Sequence, residues 1–301
     1  LARIALKVDV DTLRGTREGI PNLLRALRRH GVRATFLFSL GPDHTGWALR
    51  RVFRPGFLSK VSRTSVLKHY GLRTLMYGVL LPAPDIGKIA AADMLAARDA
   101  GHECGIHTWD HVVWQDGVRT RDDTWTRRQM GLAFDRFCDL FGERPATHGA
   151  AGWQMNESAF RQIDDWGMAY ASDGRGAHPY VASANGRAFK HIQLPTSLPT
   201  LDELVGSDGI DNHNVARSVL ALTENDQNHV FTLHAELEGG LLAPAFDALL
   251  SGWKAQGHEL VSLAVLHRHT DPAMLPVLPL TWGEVPGRSG SLIVAPTLRL
   301  P

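Results

Sequence analysis

The distribution of apolar and polar positions divides most of this 301-residue chain into alternating strand and helix signals. Arg3 to Val10 sets Ile4, Leu6, Val8 and Val10 against Ala5 and Lys7 and ends in Asp9-Val10-Asp11-Thr12, which predicts a first strand carrying two carboxylates at its C-terminal tip. Ile20, Leu23, Leu24 and Leu27 then recur on one helical face, with Pro21 near the start and Gly31 at the end; Val32 to Ser39 reads as a second strand. Further helices are expected over 86–100, 122–141, 156–166, 212–223 and 243–256. Further strands are expected over 102–106, 144–151 (strand and loop), 168–171, 189–194, 229–233 and 259–263. Strands alternating with helices fit a (β/α) barrel or a doubly wound sheet, and in the barrel functional residues belong at the C-terminal strand ends. From Asp271 the chain turns Pro-rich and reads as an irregular tail, 271–301, behind a catalytic unit of 1–270.

One stretch breaks the rhythm. Residues 44–84 hold Arg50, Arg51, Arg54, Lys60, Arg63, Lys68 and Arg73 and no acidic residue, in a chain whose net charge is only +1. Trp47, Phe53, Phe57, Tyr70, Tyr77 and several aliphatic residues lie between these charges, so the block reads as a series of short amphipathic pieces. The composition of the whole chain is ordinary, at 44% apolar. Two cysteines are too few for a disulfide framework, no secretory signal precedes the first strand, and no apolar run is long enough to span a bilayer; a cytosolic protein is the expectation.

The candidate chemistry gathers at strand ends: Asp9 and Asp11, His107 and His111, Ser172-Asp173, and His234. The i,i+4 spacing of His107 and His111 would turn both rings to one side of a helical turn. Such a pair arises by accident in a chain with 15 histidines, and weight comes only from the company it keeps. Two imidazoles and one carboxylate are a common set for a catalytic divalent cation, suiting Zn, Mn, Co or Fe alike. One of Asp9 and Asp11 would then be a ligand and the other a general base. An EF-hand is excluded because Leu13 and Arg14 stand where an oxygen ligand and glycine are needed, and a zincin because Thr108 follows His107.

The order D-V-D, H-T-W-D-H, then S-D and a late L-H resembles the polysaccharide deacetylase (carbohydrate esterase 4) family. The resemblance implies an α/β fold, a distorted (β/α)7 barrel, here with a basic amphipathic insertion, and metal-dependent removal of N-acyl groups from sugars. Residue by residue, it implies one divalent metal on Asp11, His107 and His111, Asp9 as base, His234 as the acid that protonates the leaving amine, and Asp173 as the group that orients that acid. The family's arginine beside a proline and an aromatic is absent; the corresponding stretch reads THGAAGWQ, and His148 stands in its place. VDVDTLRGTREGIPNLL, GIHTWDHVVWQD, HGAAGWQMN and TWGEVPGR resemble one branch of the family. That branch deformylates 4-deoxy-4-formamido-L-arabinose carried on undecaprenyl phosphate, supplying the amino sugar for lipid A modification and polymyxin resistance.

A substrate anchored in a bilayer must be met there. On this reading the 44–84 block docks on an anionic membrane surface through Trp47, Arg50, Arg51, Arg54, Phe57, Lys60, Arg63, Lys68 and Arg73, peripherally, at the cytoplasmic face of the bacterial inner membrane. Helices packed on the barrel with a solvated basic face are the other reading of the block; nucleic acid finds no support in the catalytic pattern. An N-deacetylase acting on another glycan, or a lipid- or glycan-binding protein with a vestigial site, would share the same fold.

Overall fold

The computed structural model describes residues 2–48 and 72–296. The strands are β1 (Arg3–Val10), β2 (Thr35–Ser39), β3 (Glu103–Thr108), β4 (Tyr170–Ala171), β5 (Tyr180–Ala184), β6 (Arg187–Gln193), β7 (His229–His234), β8 (Glu259–Val261), β9 (Val277–Pro279), β10 (Thr281–Gly283) and β11 (Leu292–Val294). The helices that matter to the site are α1 (Ile20–His30), α2 (Leu72–Met76), α3 (Ala91–Asp99), α4 (His111–Gly117), α5 (Asp123–Phe141), α6 (Glu157–Trp166), α7 (Leu201–Leu204), α8 (Val215–Ala221), α9 (Ala243–Ala255) and α10 (Leu263–Arg268).

β3, β2, β1 and β7 run parallel in that order, and β8 pairs with the first residues of β1. β7 covers one edge of β1 over Ile4–Asp9, so the opposite edge is shared: β8 lies along 3–5 and β2 along 7–10. A second sheet, β4-β6-β5-β9, is joined to the first at both margins by hydrogen bonds. On one side Gly149 N–H donates to Ile106 O and Ser172 N–H to His148 O; on the other, Ser197 and Leu198 donate to Val230 O. These bonds tie the two sheets into one α/β arrangement of mostly parallel strands.

Residue parity explains why β1 is buried on both faces. Ile4, Leu6, Val8 and Val10 pack outward with Ile20, Leu23 and Leu27 of α1 and with Phe231, Leu233 and Phe246. Ala5, on the inner face, packs with Tyr170, Ile192, Leu194 and Val230, and the same parity carries Lys7 and Asp9 inward above it. The helices stop where the sequence says they should. Asp122 and Asn156 cap α5 and α6 through their side chains, and Gly31, Gly142 and Gly167 close α1, α5 and α6 in the left-handed region.

Several expectations change. The 86–100 helix breaks into Ile86–Ile89 and α3, and the 212–223 helix shortens to α8. Arg144–Ala151 forms no strand of its own, only a parallel bridge between His148 and Ile106. β5 and β6 form an antiparallel hairpin across Asn185-Gly186, both at positive φ (50° and 76°), which a reading built on parallel units passes over. The stretch from Asp271 is not irregular: β9 pairs with β5, β10 with β11, and the backbone of Arg175 bonds to residues 293 and 295. No helix among the described residues is long and apolar enough to cross a membrane.

Candidate active site

Buried polar atoms show where this molecule does chemistry. Thirteen side-chain nitrogen or oxygen atoms among the described residues are buried without a hydrogen-bond partner. Eight of them belong to Asp9, Asp11, Ser39, Thr108, His107, His234, Glu236 and Glu238, at or just beyond the C-terminal ends of β1, β2, β3 and β7. A stable core does not leave such atoms unpaired, so their concentration at one rim marks a site built for something else to bind.

Asp11, His107 and His111 form its centre, with their ligand atoms all within 4.8 Å of one another. Asp11 Oδ1 lies 3.2 Å from His107 Nε2, and Oδ2 3.4 Å from His111 Nε2. The two histidines do not share a helix, contrary to the i,i+4 reading. His107 is in β3, whereas His111 opens α4 after Asp110 has capped it, and the strand-to-helix turn brings the rings to 5.3 Å between centroids. His107 Nδ1 is 2.6 Å from Gly149 O; donating there leaves Nε2 with its lone pair towards Asp11, the tautomer a metal ligand needs. Burial disfavours a charged His107, but the carboxylates of Asp9 and Asp11 outweigh it and hold the ring above its usual value. Burial likewise opposes ionised Asp11, and the surrounding histidines overcome it, driving its carboxyl far below the ordinary range. A carboxylate and two imidazoles that converge here, with Asp11 Oδ1 and His107 Nε2 buried and without a hydrogen-bond partner, fit one divalent cation.

Asp9 lies beside this triad, its Oδ1 3.8 Å from His107 Nδ1. The cation next to Asp9 is not His148. Lys7 Nζ lies 3.4 Å from Asp9 Oδ2 and donates to Ser172 O at 3.1 Å. His148 turns to Asp173 instead, Nδ1 to Oδ1 at 2.6 Å, and Gln193 Nε2 donates to the other Asp173 oxygen at 2.8 Å. Burial pushes the Asp173 carboxyl up, but His148 and Gln193 more than reverse this and hold it below its usual value.

Asp173 is therefore engaged away from the acid expected of His234. The carboxylate facing His234 is Asp202, at the start of α7, with Oδ1 3.7 Å from His234 Nδ1. Burial lowers the affinity of His234 for its proton, Asp202 and then Asp11 raise it, and the net displacement is upward. Asp202 is held down to about 2 because Arg288 and His234 outweigh its burial. Arg288, from the C-terminal segment, also donates to Glu203, which takes a second hydrogen bond from the fully buried Arg175. The faces of Trp153 meet all three cations: Arg288 at 4.8 Å, Arg175 at 4.9 Å and Lys7 at 5.5 Å from the ring. Trp153 itself sits at φ +53°, an unusual conformation for a bulky residue, held by these contacts and a hydrogen bond to Thr196.

Two further acids, Glu236 and Glu238, do not stand out in the sequence. Glu236 Oε1 accepts from the N–H groups of Asp11 and Thr12 and from the Thr12 hydroxyl, fixing the tip of β1. Burial, with Asp11 adding, raises its carboxyl to about 8. Glu238 accepts from His234 N–H at 2.7 Å, and burial raises it to about 7. Their signal in the sequence was the alternation H-A-E-L-E directly beyond a strand end.

Of the proposed membrane residues, Arg50, Arg51, Arg54, Phe57, Lys60, Arg63 and Lys68 lie outside the described residues. Trp47 stacks on His44 at 4.1 Å and donates to Gly78 O, so its ring is half-buried in the protein; Arg73 is exposed.

No family model matches the chain. It is 36% identical over 292 residues to the probable 4-deoxy-4-formamido-L-arabinose-phosphoundecaprenol deformylase ArnD of Shewanella sediminis (strain HAW-EB3), covering 97% of this chain and 94% of that one. It is 29% identical to the protein of the same description from Wigglesworthia glossinidia brevipalpis, covering 92% and 96%. Among solved structures, a probable polysaccharide deacetylase from Pseudomonas aeruginosa PAO1 superposes with a TM-score of 0.58 at 15% identity, over 89% and 90% of the two chains. PuuE allantoinase gives 0.56 at 16% identity, over 89% of both chains. The structures establish the polysaccharide deacetylase type of fold; the sequence match across nearly the whole length establishes that this chain belongs to the 4-deoxy-4-formamido-L-arabinose-phosphoundecaprenol deformylase family.

Proposed function

We propose that this chain hydrolyses the formamide of undecaprenyl-phosphate-linked 4-deoxy-4-formamido-L-arabinose, releasing formate and the free amino sugar used in lipid A modification and polymyxin resistance. The observation that carries the reading is the Asp11–His107–His111 cluster at the strand ends, with Asp9 against His107 and His234 within Coulombic reach of Asp11. A divalent cation held by that cluster supplies Lewis acidity to the formyl carbonyl when bound. Asp9 Oδ1, free of any hydrogen bond, takes a proton from the attacking water as oxygen adds to the formyl carbon. The C–N bond then breaks, and His234, kept protonated by Asp202, delivers its proton to the departing nitrogen. Metal-loaded protein given the lipid-linked formamido sugar should release formate, and Asp9→Asn should keep its metal and lose turnover. Absence of formate from the loaded wild type would remove the proposal.

The protein reaches this substrate as a peripheral protein at the cytoplasmic face of the inner membrane. Support comes from the segment after α2, where Val79 (53%) and Leu80 (75%) are exposed, and from the sequence of 49–71, which carries Arg50, Arg51, Arg54, Lys60, Arg63 and Lys68 and no acidic residue. Each basic residue near an anionic surface contributes about 1 kcal/mol, which gives reversible docking. Vesicles containing anionic lipid should sediment the protein and fail to sediment a variant lacking 46–81; equal sedimentation of the two ends this part of the reading.

A further inference from the structure

We infer that Lys7 is the positioning residue of the catalytic base. It fixes one oxygen of Asp9 and leaves the other to take the proton of water. The inference rests on the reading of Asp9 as base given above.

Lys7 is fully buried, and an ammonium removed from water is costly unless it is paired. Its surroundings offer three acceptors for its three N–H groups: Asp9 Oδ2 at 3.4 Å, Ser172 O at 3.1 Å and the face of Trp153 at 5.5 Å. Its neighbours in the ladder, Thr35 on β2 and Thr232 on β7, carry no charge, so the ion pair of Lys7 runs to Asp9. The same strand parity carries both side chains, and β1, buried along its length, fixes their separation.

The groups facing Asp9 divide its two oxygens. Oδ2 is held by Lys7; Oδ1 faces His107 at 3.8 Å and has no hydrogen-bond partner. His234 stands opposite Asp9 in the β7 ladder. Oδ1 is thus the oxygen left for water. The stem of Lys7 is fixed as well: a Cβ on Gly149 would lie 3.0 Å from Lys7 Cε and 2.3 Å from Leu37, so only glycine leaves the ammonium where it is. A buried methionine of similar length would fill the same space without a desolvation penalty. A lysine kept there serves the carboxylate above it.

The test compares Lys7→Met, Lys7→Arg, Asp9→Asn and the double variant Lys7→Met/Asp9→Asn. Metal content, thermal unfolding, and kcat and KM for formate release from the lipid-linked formamido sugar are read for each. Lys7→Met should retain its metal and a KM within about threefold of wild type, while kcat falls by ~10²-fold or more, the size of a general-base contribution. Lys7→Arg should recover kcat to within about tenfold, since it restores the cation. A Lys7→Met protein with wild-type kcat, or one whose loss lies wholly in KM or metal content, overturns the inference. If Lys7→Met does not fold, the double variant should fold, because no unpaired carboxylate is left; a double variant as unstable as the single assigns Lys7 a purely structural role. Failure of the underlying reading looks different. Asp9→Asn with wild-type kcat removes Asp9 as base, whereas an inactive Asp9→Asn beside an active Lys7→Met removes Lys7 alone.

Discussion

Replacing Asp202 with asparagine separates two candidate partners of His234, the proposed acid. The Asp202 carboxylate lies 3.7 Å from His234 Nδ1, with 25% and 13% of the two side chains exposed. At that separation an effective dielectric of about 20 gives roughly 4 kcal/mol between unit charges. Partial exposure screens the pair, and about half of that figure, roughly 2 kcal/mol, is a reasonable expectation. It corresponds to a fall of about 1.5 pH units in the affinity of His234 for its proton. Arg288, 3.2 Å from the other Asp202 oxygen, works in the same direction once its carboxylate is neutralised. A general acid acts only while protonated, so activity is lost as pH rises through its pKa, and lowering that pKa moves the alkaline limb of kcat/KM to lower pH. Formate release measured from pH 5 to 10 should show the limb of Asp202→Asn displaced downward by about 1–2 units relative to wild type. Asp173→Asn is the counterpart. Its carboxylate is hydrogen-bonded to His148 and Gln193, so the substitution should lower stability by about 1.5–3 kcal/mol, as for a charged hydrogen bond, and leave the limb in place. A limb that moves in Asp173→Asn and stays put in Asp202→Asn would refute the assignment.

Three further substitutions test other parts of the site. His107→Ala removes one of three converging ligands, and elemental analysis should find metal content and formate release lost together; full metal occupancy would dissolve the triad. Gly149→Ala places a Cβ 2.3 Å from Leu37 Cδ1, an overpacking expected to lower stability by about 1–3 kcal/mol in thermal unfolding and to reduce kcat through displacement of Lys7; an unchanged melting curve would contradict the packing described. Glu238 is raised by burial from 4.5 to about 7, so folding favours its protonated form. The penalty is absent below about pH 4.5, grows as pH rises, and reaches roughly 3 kcal/mol above pH 7. Glu238→Gln should therefore raise Tm at pH 8 and leave it near wild type at pH 4.5, and an equal rise at both would assign the effect to something other than the buried charge.

The parts of this site that a linear reading reaches are those where one strand carries the information. β1, β3 and β7 announce themselves by alternation and by polar residues just beyond an apolar run, and Asp9, Asp11, His107 and His234 follow from them. The same logic reaches further than motif matching alone takes it. Lys7, Asp9 and Asp11 have one parity, so a lysine inside an otherwise apolar strand points inward beside the acids. Asn185-Gly186 is likewise a legible hairpin turn. What the line of sequence hides is which charge meets which. Asp173 follows a strand end and the family resemblance pairs it with His234, but His148, bridged to β3 through its backbone, meets it first. The group that reaches His234 comes from the start of α7, and Arg288, which steadies it, comes from a segment 86 residues further on that had read as a tail. Both are contacts between elements distant in sequence, set by how β7, α7 and the final strands close round Trp153. The proposed metal ligands can be read from local order because two strand ends, those of β1 and β3, deliver all three; the counter-ions proposed to tune base and acid depend on contacts between elements distant in sequence, and Lys7 is legible only because it shares a strand with the carboxylate it holds.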